Sequence, residues 1–140
     1  MPANFTESAL RHFQDAGRLW DSARVHNADH LAGLCAECAL KSILIGLGHV
    51  ALEPTGRLVP RETQVHIDKL WAQFPAYLVG PRGARYLAGL PERNPFSDWR
   101  VEQRYDADID LDARQARRHI RAARGAMKAL EQARHRGDAQ

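Results

Sequence analysis

Residues 28–47, ADHLAGLCAECALKSILIGL, decide the fold. Leu31, Leu34, Cys35, Cys38, Ser42 and Ile45 recur at helical spacing and make one face, while Leu40, Ile43, Leu44 and Leu47 make another. A helix that is apolar on most sides is buried at the centre of a domain or shared with a partner subunit. Asn27 can cap its start, and Gly46 and Gly48 stand where a C-terminal cap belongs. One polar stripe remains: His30, Gly33, Glu37 and Lys41.

Outward from that helix, the pattern predicts a first helix over Phe5–Arg24. Asn4 is its cap, Phe5, Ala9, Phe13, Ala16, Trp20 and Ala23 form its stripe, and Phe13 and Trp20 serve as core anchors. His49–Glu62 carries two prolines and a glycine and reads as a loop. A short helix follows over Thr63–Phe74, ended by Pro75, then another over Ala84–Leu90 and a loop over Pro91–Asp98. Trp99, Val101, Gln103 and Tyr105 alternate, which suits an extended piece within Trp99–Ile109. The last helix, Asp112–Arg134, has the clearest stripe: Ala113, Ala116, Ile120, Ala123, Met127, Leu130 and Ala133. Asp110 and Asp112 suit its N-terminal end. The expected organisation is one domain spanning residues 1–140, ordered over about 5–134, with 135–140 frayed.

Composition agrees with helices. The chain has 140 residues, with 22 Ala and 15 Leu against 11 Val plus Ile, which leaves little material for a sheet. Two cysteines exclude a disulfide-dense scaffold. No apolar run approaches the roughly 18 residues of a membrane span, and the first residues lack the character of a signal peptide, so a cytoplasmic location without membrane partners is expected. The formal net charge is only +3, but Asp112–Arg136 holds eight basic and two acidic residues. The positive charge is therefore concentrated on the last helix, where Arg114, Arg117, Arg121, Arg124 and Lys128 form a broad stripe opposite the apolar one. Such a stripe is either a solvated face or a phosphate-binding surface, for which Arg is well suited.

Other constellations have weaker claims. Cys35 and Cys38 form C-x-x-C inside an apolar helix, away from the turn a zinc site uses and from the helix N-terminus that activates a redox thiol, so core packing is expected. His26 and His30 lack the Glu of H-E-x-x-H, and Asp106, Asp108, Asp110 and Asp112 lack the Gly and Glu of an EF-hand. No metal or other cofactor is expected. Glu37 and Lys41 have the favourable order for an i, i+4 salt bridge, or could line a functional groove. Arg114 and His119 form R-x-x-x-x-H, and an imidazole beside a guanidinium suits phosphodiester cleavage.

Three segments in order, ALRHFQDAGRL from Ala9, LCAECALKSIL from Leu34 and HIDKLW from His66, resemble the HEPN domains of bacteria and archaea. Glu37, Lys41, His66 and Leu70 match positions of the family's second and third helical motifs, and WRVEQRY, residues 99–105, resembles the Arg-Tyr segment before the final helix of some small members. The resemblance implies an all-α, up-and-down bundle of four to five helices that forms a homodimer. It implies RNA, a nucleotide, a nucleotidyltransferase or an antitoxin as partner, in stress response, phage defence or a toxin–antitoxin pair. Arg104, Arg117, Arg121, Arg124 and Lys128 are the expected RNA contacts, and His30, Glu37, Lys41 and His66 an associated polar stripe. In catalytic members an R-x(4–6)-H motif from each protomer cleaves RNA without a metal, which points to Arg114 and His119. The alternatives are thus an RNA-binding module, a metal-independent ribonuclease and a non-catalytic protein-interaction module.

Overall fold

The apolar stretch 28–47 lies at the centre of the molecule. A computed structural model describes residues 3–107, 110 and 112–140. Helix α1 (Phe5–Asp21), α2 (Val25–Gly46), a hairpin of strands β1 (Ala51–Leu52) and β2 (Leu58–Val59), α3 (Ile67–Tyr77), the single turn α4 (Pro81–Ala84) and α5 (Ala113–Arg136) follow in order, with 3-10 turns at Arg61–Thr63 and Val101–Tyr105. The described residues form an all-α bundle in which α2 packs against α1, α3 and α5. No described helix is long and apolar enough to cross a membrane.

Helix α2 is buried on nearly every side from Cys35 to Leu44, as its two apolar faces require. It begins earlier than Asn27 suggests. The link from α1 is a tight turn over residues 22–24 in which Ala23 adopts φ +60°, and the backbone N–H of Arg24 donates to Leu19 at 2.8 Å. That turn ends α1 at Asp21, short of the expected Arg24, and starts α2 at Val25 with Arg24 in the cap position. Asn4 does cap α1, accepting from the N–H of Glu7. The residues α1 buries fully are Ala9 and Ala16; Phe13 and Trp20 are only partly buried at its edges. Small residues let α1 approach α2 closely, so the large anchors come from elsewhere: Trp71, Phe74, Tyr86, Phe96 and Trp99.

The middle of the chain differs most from its pattern. The expected 49–62 loop contains an antiparallel hairpin pairing Ala51 with Val59 and Leu52 with Leu58. Thr63 closes a 3-10 turn, and α3 starts at Ile67 and runs through Pro75, whose missing N–H falls in the last turn. Pro81 occupies the first position of α4, so that turn precedes Ala84 rather than following it. The expected extended piece is a 3-10 turn over Val101–Tyr105, because Gln103 folds back to accept from the N–H of Arg100 and to donate to Asp29. Ile109, at the end of that expected segment, and Asp108, in the aspartate alternation, lie outside the described residues.

The last residues are held rather than frayed. Gly137 turns the chain with φ +75°, and Asp138, 3% exposed, accepts from Tyr86 Oη at 2.5 Å and Arg82 Nε at 2.8 Å. Those two hydrogen bonds, first Tyr86 and then Arg82, keep the Asp138 carboxyl below its ordinary pKa against the effect of burial. Gln140 joins α2 and the start of α1, donating to the Ser42 carbonyl at 3.0 Å and accepting from Phe5 N–H at 2.7 Å. Gly46 makes room for this path: a Cβ there would lie 2.2 Å from the Asp138 backbone.

Candidate functional site

The first candidate is a groove on α5. Asp112 caps the helix by accepting from Arg114 N–H at 2.9 Å, as expected from its place before the stripe. Ala116, Ala123, Ala126, Leu130 and Ala133 are buried, which turns Arg114, Arg117, Arg118, Arg121, Arg124 and Lys128 to solvent. The segment 89–98 runs beside the exposed face and makes the opposite wall. Trp71 Nε1 donates to the Pro91 carbonyl, Asn94 Nδ2 to the Asp68 carbonyl and Gln115 Nε2 to the Asp98 carbonyl, so this wall is fixed at three points. The groove between them measures about 930 Å³ and contains Arg93, Arg114, Arg117, Arg118 and Arg121, with Asp98 its one acidic lining residue among the described residues. Asp98 is already engaged by Arg118 and His119.

Of the expected RNA contacts, Arg117 and Arg121 line this groove, and Arg124 and Lys128 are exposed farther along the same helix. Arg117 also lies over the Trp20 ring at 5.8 Å. Arg104 is elsewhere, beside a smaller cleft with Arg24, His26 and Asn27.

The structure separates the expected catalytic pair in character. Arg114 is exposed in the groove, but His119 is completely buried. Its Nδ1 contacts Asp29 Oδ1 of α2, and its Nε2 lies 2.7 Å from Asp98 Oδ1. Two carboxylates can only accept, so both ring nitrogens carry protons and the imidazole is a cation. Burial alone would lower the His119 pKa; the hydrogen bond and charge of Asp29, then those of Asp98, outweigh it and hold the pKa above the ordinary value. In turn His119 and Arg118 hold Asp98 below the usual carboxylate range despite its partial burial. Phe96 stacks on the His119 ring at 5.2 Å. In this placement His119 joins α2, α5 and the groove wall, and has no free lone pair with which to take a substrate proton.

The second candidate grows out of the polar stripe. Glu37, 7% exposed, accepts from Lys41 Nζ at 2.9 Å through one oxygen and from His66 Nδ1 at 2.9 Å through the other. His66 is the residue that caps α3. The expected Glu37–Lys41 salt bridge is present, and the remote His66 joins it. His30 is not hydrogen-bonded to this group. It stacks on Trp99 at 5.5 Å, its Nδ1 is buried without a hydrogen-bond partner, and burial, then the Arg104 charge, lowers its pKa. Trp99 stands between His30 and His66 and donates from Nε1 to the Asp29 carbonyl at 3.2 Å.

Sequence reasoning missed Asp29, Asp98 and Trp99 as organisers of this region. The available signal was His119 itself, one residue from the apolar position Ile120, where a charged ring needs acidic partners. Cys35 and Cys38 lie in the core; burial pushes the Cys38 thiol up to about 12 and Cys35 still higher. Among the described residues, no group of three or more His, Cys, Asp or Glu is arranged to hold a metal ion. No protein-family model, curated protein or solved structure matches the chain.

Proposed function

We propose that the chain is an RNA-binding module that holds a single-stranded segment in the α5 groove. The observation that carries this is the convergence of Arg93, Arg114, Arg117, Arg118 and Arg121 on one concave surface, where the carboxylate of Asp98 is internally paired. Guanidinium groups bind phosphate oxygens bidentately and stack on unpaired bases, and a walled groove admits a flexible strand better than a rigid duplex. The resemblance to HEPN domains favours RNA over other polyanions and favours a second copy of the chain as partner. The burial and double pairing of His119 favour binding over cleavage at this groove.

Arg114, Arg117 and Arg121 are the residues to reverse, because Arg118 also holds Asp98. The triple change to Glu is expected to weaken binding of a fluorescent single-stranded oligoribonucleotide by about a hundredfold. For wild type, log K should fall with log salt at a slope of about −2 to −3, the value for three or four phosphates neutralised on a single strand, and the triple variant should lose most of that slope. Reversal of Arg134 and Arg136 at the far end of α5 should have a small effect. Binding that ignores both salt and the triple reversal would overturn the proposal.

A further inference from the structure

The Glu37–His66 pair lies apart from the arginine groove. Glu37 is buried, and its second oxygen accepts from Lys41 Nζ at 2.9 Å. A carboxylate can only accept, so His66 Nδ1 donates the proton across the 2.9 Å contact. That fixes the tautomer and leaves the basic lone pair on Nε2. The His66 side chain is 49% exposed, so the ring is held on one edge and open on the other. An imidazole oriented by a buried carboxylate and open at its second nitrogen is the arrangement of a general base.

His66 borders two clefts. The one toward α3 mixes Lys69 and Arg100 with Asp68 and Glu102, so its charges balance. The one toward the hairpin measures about 250 Å³, and among the described residues its lining has the charges of Lys41 and Arg57 and no carboxylate. Phe5, Leu58 and Val65 give it apolar walls. Among the described residues this cleft contains no Ser, Thr or Cys, so no hydroxyl or thiol of the protein is placed to attack, and with His66 as base the attacking oxygen comes from water or from the substrate. Lys41 is occupied by Glu37, which leaves Arg57 to meet an anion.

We propose that the hairpin cleft is a hydrolytic site for a small phosphate ester, with His66 Nε2 as general base, Arg57 as phosphate-binding residue and Glu37 as positioning residue. Nε2 removes a proton from water while the water oxygen forms a bond to phosphorus. The bond from phosphorus to the ester oxygen breaks, and that oxygen leaves with the bonding pair. The imidazolium then returns its proton to the leaving oxygen or to bulk water, so diester and water become monoester and alcohol. The step needs no oxidant or other co-reactant.

Bis-p-nitrophenyl phosphate is the probe, and release of p-nitrophenolate is the readout. Wild type should turn it over above the rate of an equal concentration of free imidazole. His66→Gln should lose about a hundredfold or more in kcat and with it the acidic limb of the pH–rate profile. Glu37→Gln should lower kcat about tenfold with KM nearly unchanged, while Arg57→Gln should act mainly through KM. The groove variant Arg114/Arg117/Arg121→Glu should retain the activity, which separates this site from RNA binding. Carbethoxylation mapped by mass spectrometry gives a readout independent of turnover: His66 should react in the folded protein while His119 is protected. Turnover no faster than free imidazole, full activity in His66→Gln, or a His66 ring that resists carbethoxylation would each overturn the proposal.

Discussion

His119→Ala is expected to destabilise the fold by about 3–5 kcal/mol, the usual effect of removing one partner from a buried ionic cluster. The substitution leaves Asp29 largely buried with only the Gln103 amide at 2.9 Å on its second oxygen. It also takes one of the two side-chain partners from Asp98, so the groove wall keeps Arg118 and Gln115 of α5 but loses its link through His119 to α2. Because the folded pKa of His119 is raised, its contribution is fully present below the unfolded value of 6.5 and is lost as pH rises through the folded value. Asp98 and Asp138 act in the opposite sense: their depressed pKa values give stability that is present above 3.8 and lost as pH falls. Urea unfolding of wild type should therefore show greatest stability between those limits, with a decline toward alkaline pH that His119→Gln lacks. An alkaline decline of equal size in both proteins would refute the assignment of that slope to His119.

Gly33→Ala should be nearly as damaging, although alanine is the better helix former by about 1 kcal/mol. A Cβ at position 33 would stand 2.1 Å from Trp99 Cε2. The indole has no room to yield: it is fully buried, stacked on His30 and hydrogen-bonded to the Asp29 carbonyl. Overpacking of this kind costs about 1–3 kcal/mol or more. Trp99→Leu removes the obstacle and is itself destabilising through the cavity it opens. In that background Gly33→Ala should change sign and stabilise, since only the helix preference remains. A double-mutant cycle by chemical denaturation measures this reversal. If Gly33→Ala is equally harmful in the Trp99→Leu background, the Gly33–Trp99 contact does not set the packing of α2.

Both effects show which parts of this molecule can be read from its sequence. Helices α2 and α5 are legible because their burial is written as a local period, and the Asp112 cap and the Glu37–Lys41 bridge lie within one turn of their partners. The groove wall, His66 and the C-terminal residues depend on contacts between distant positions. His119 meets Asp29 across 90 residues and Gln140 meets Ser42 across 98, and no periodicity encodes such pairs. The 3-10 turn at Val101–Tyr105 was hidden for a related reason: its alternating apolar residues imitate a strand, while side-chain hydrogen bonds to Arg100 and Asp29 decide the backbone. Gly33 is the informative exception. A glycine inside an Ala- and Leu-rich helix marks a close approach, although the sequence does not say that Trp99 makes it.

The two thiols of α2 give this bundle an internal clock. Cys35 is fully enclosed and Cys38 nearly so, and both are held in the unreactive protonated form. An alkylating reagent reaches them during the moments when an element packed on the central helix separates from it. With reagent at low concentration, the labelling rate reports how often the core is open; at high concentration it reports how fast it opens. The same protein, without an added probe, can thus reveal whether a ligand in the α5 groove quiets the breathing of the whole bundle or only of its own wall.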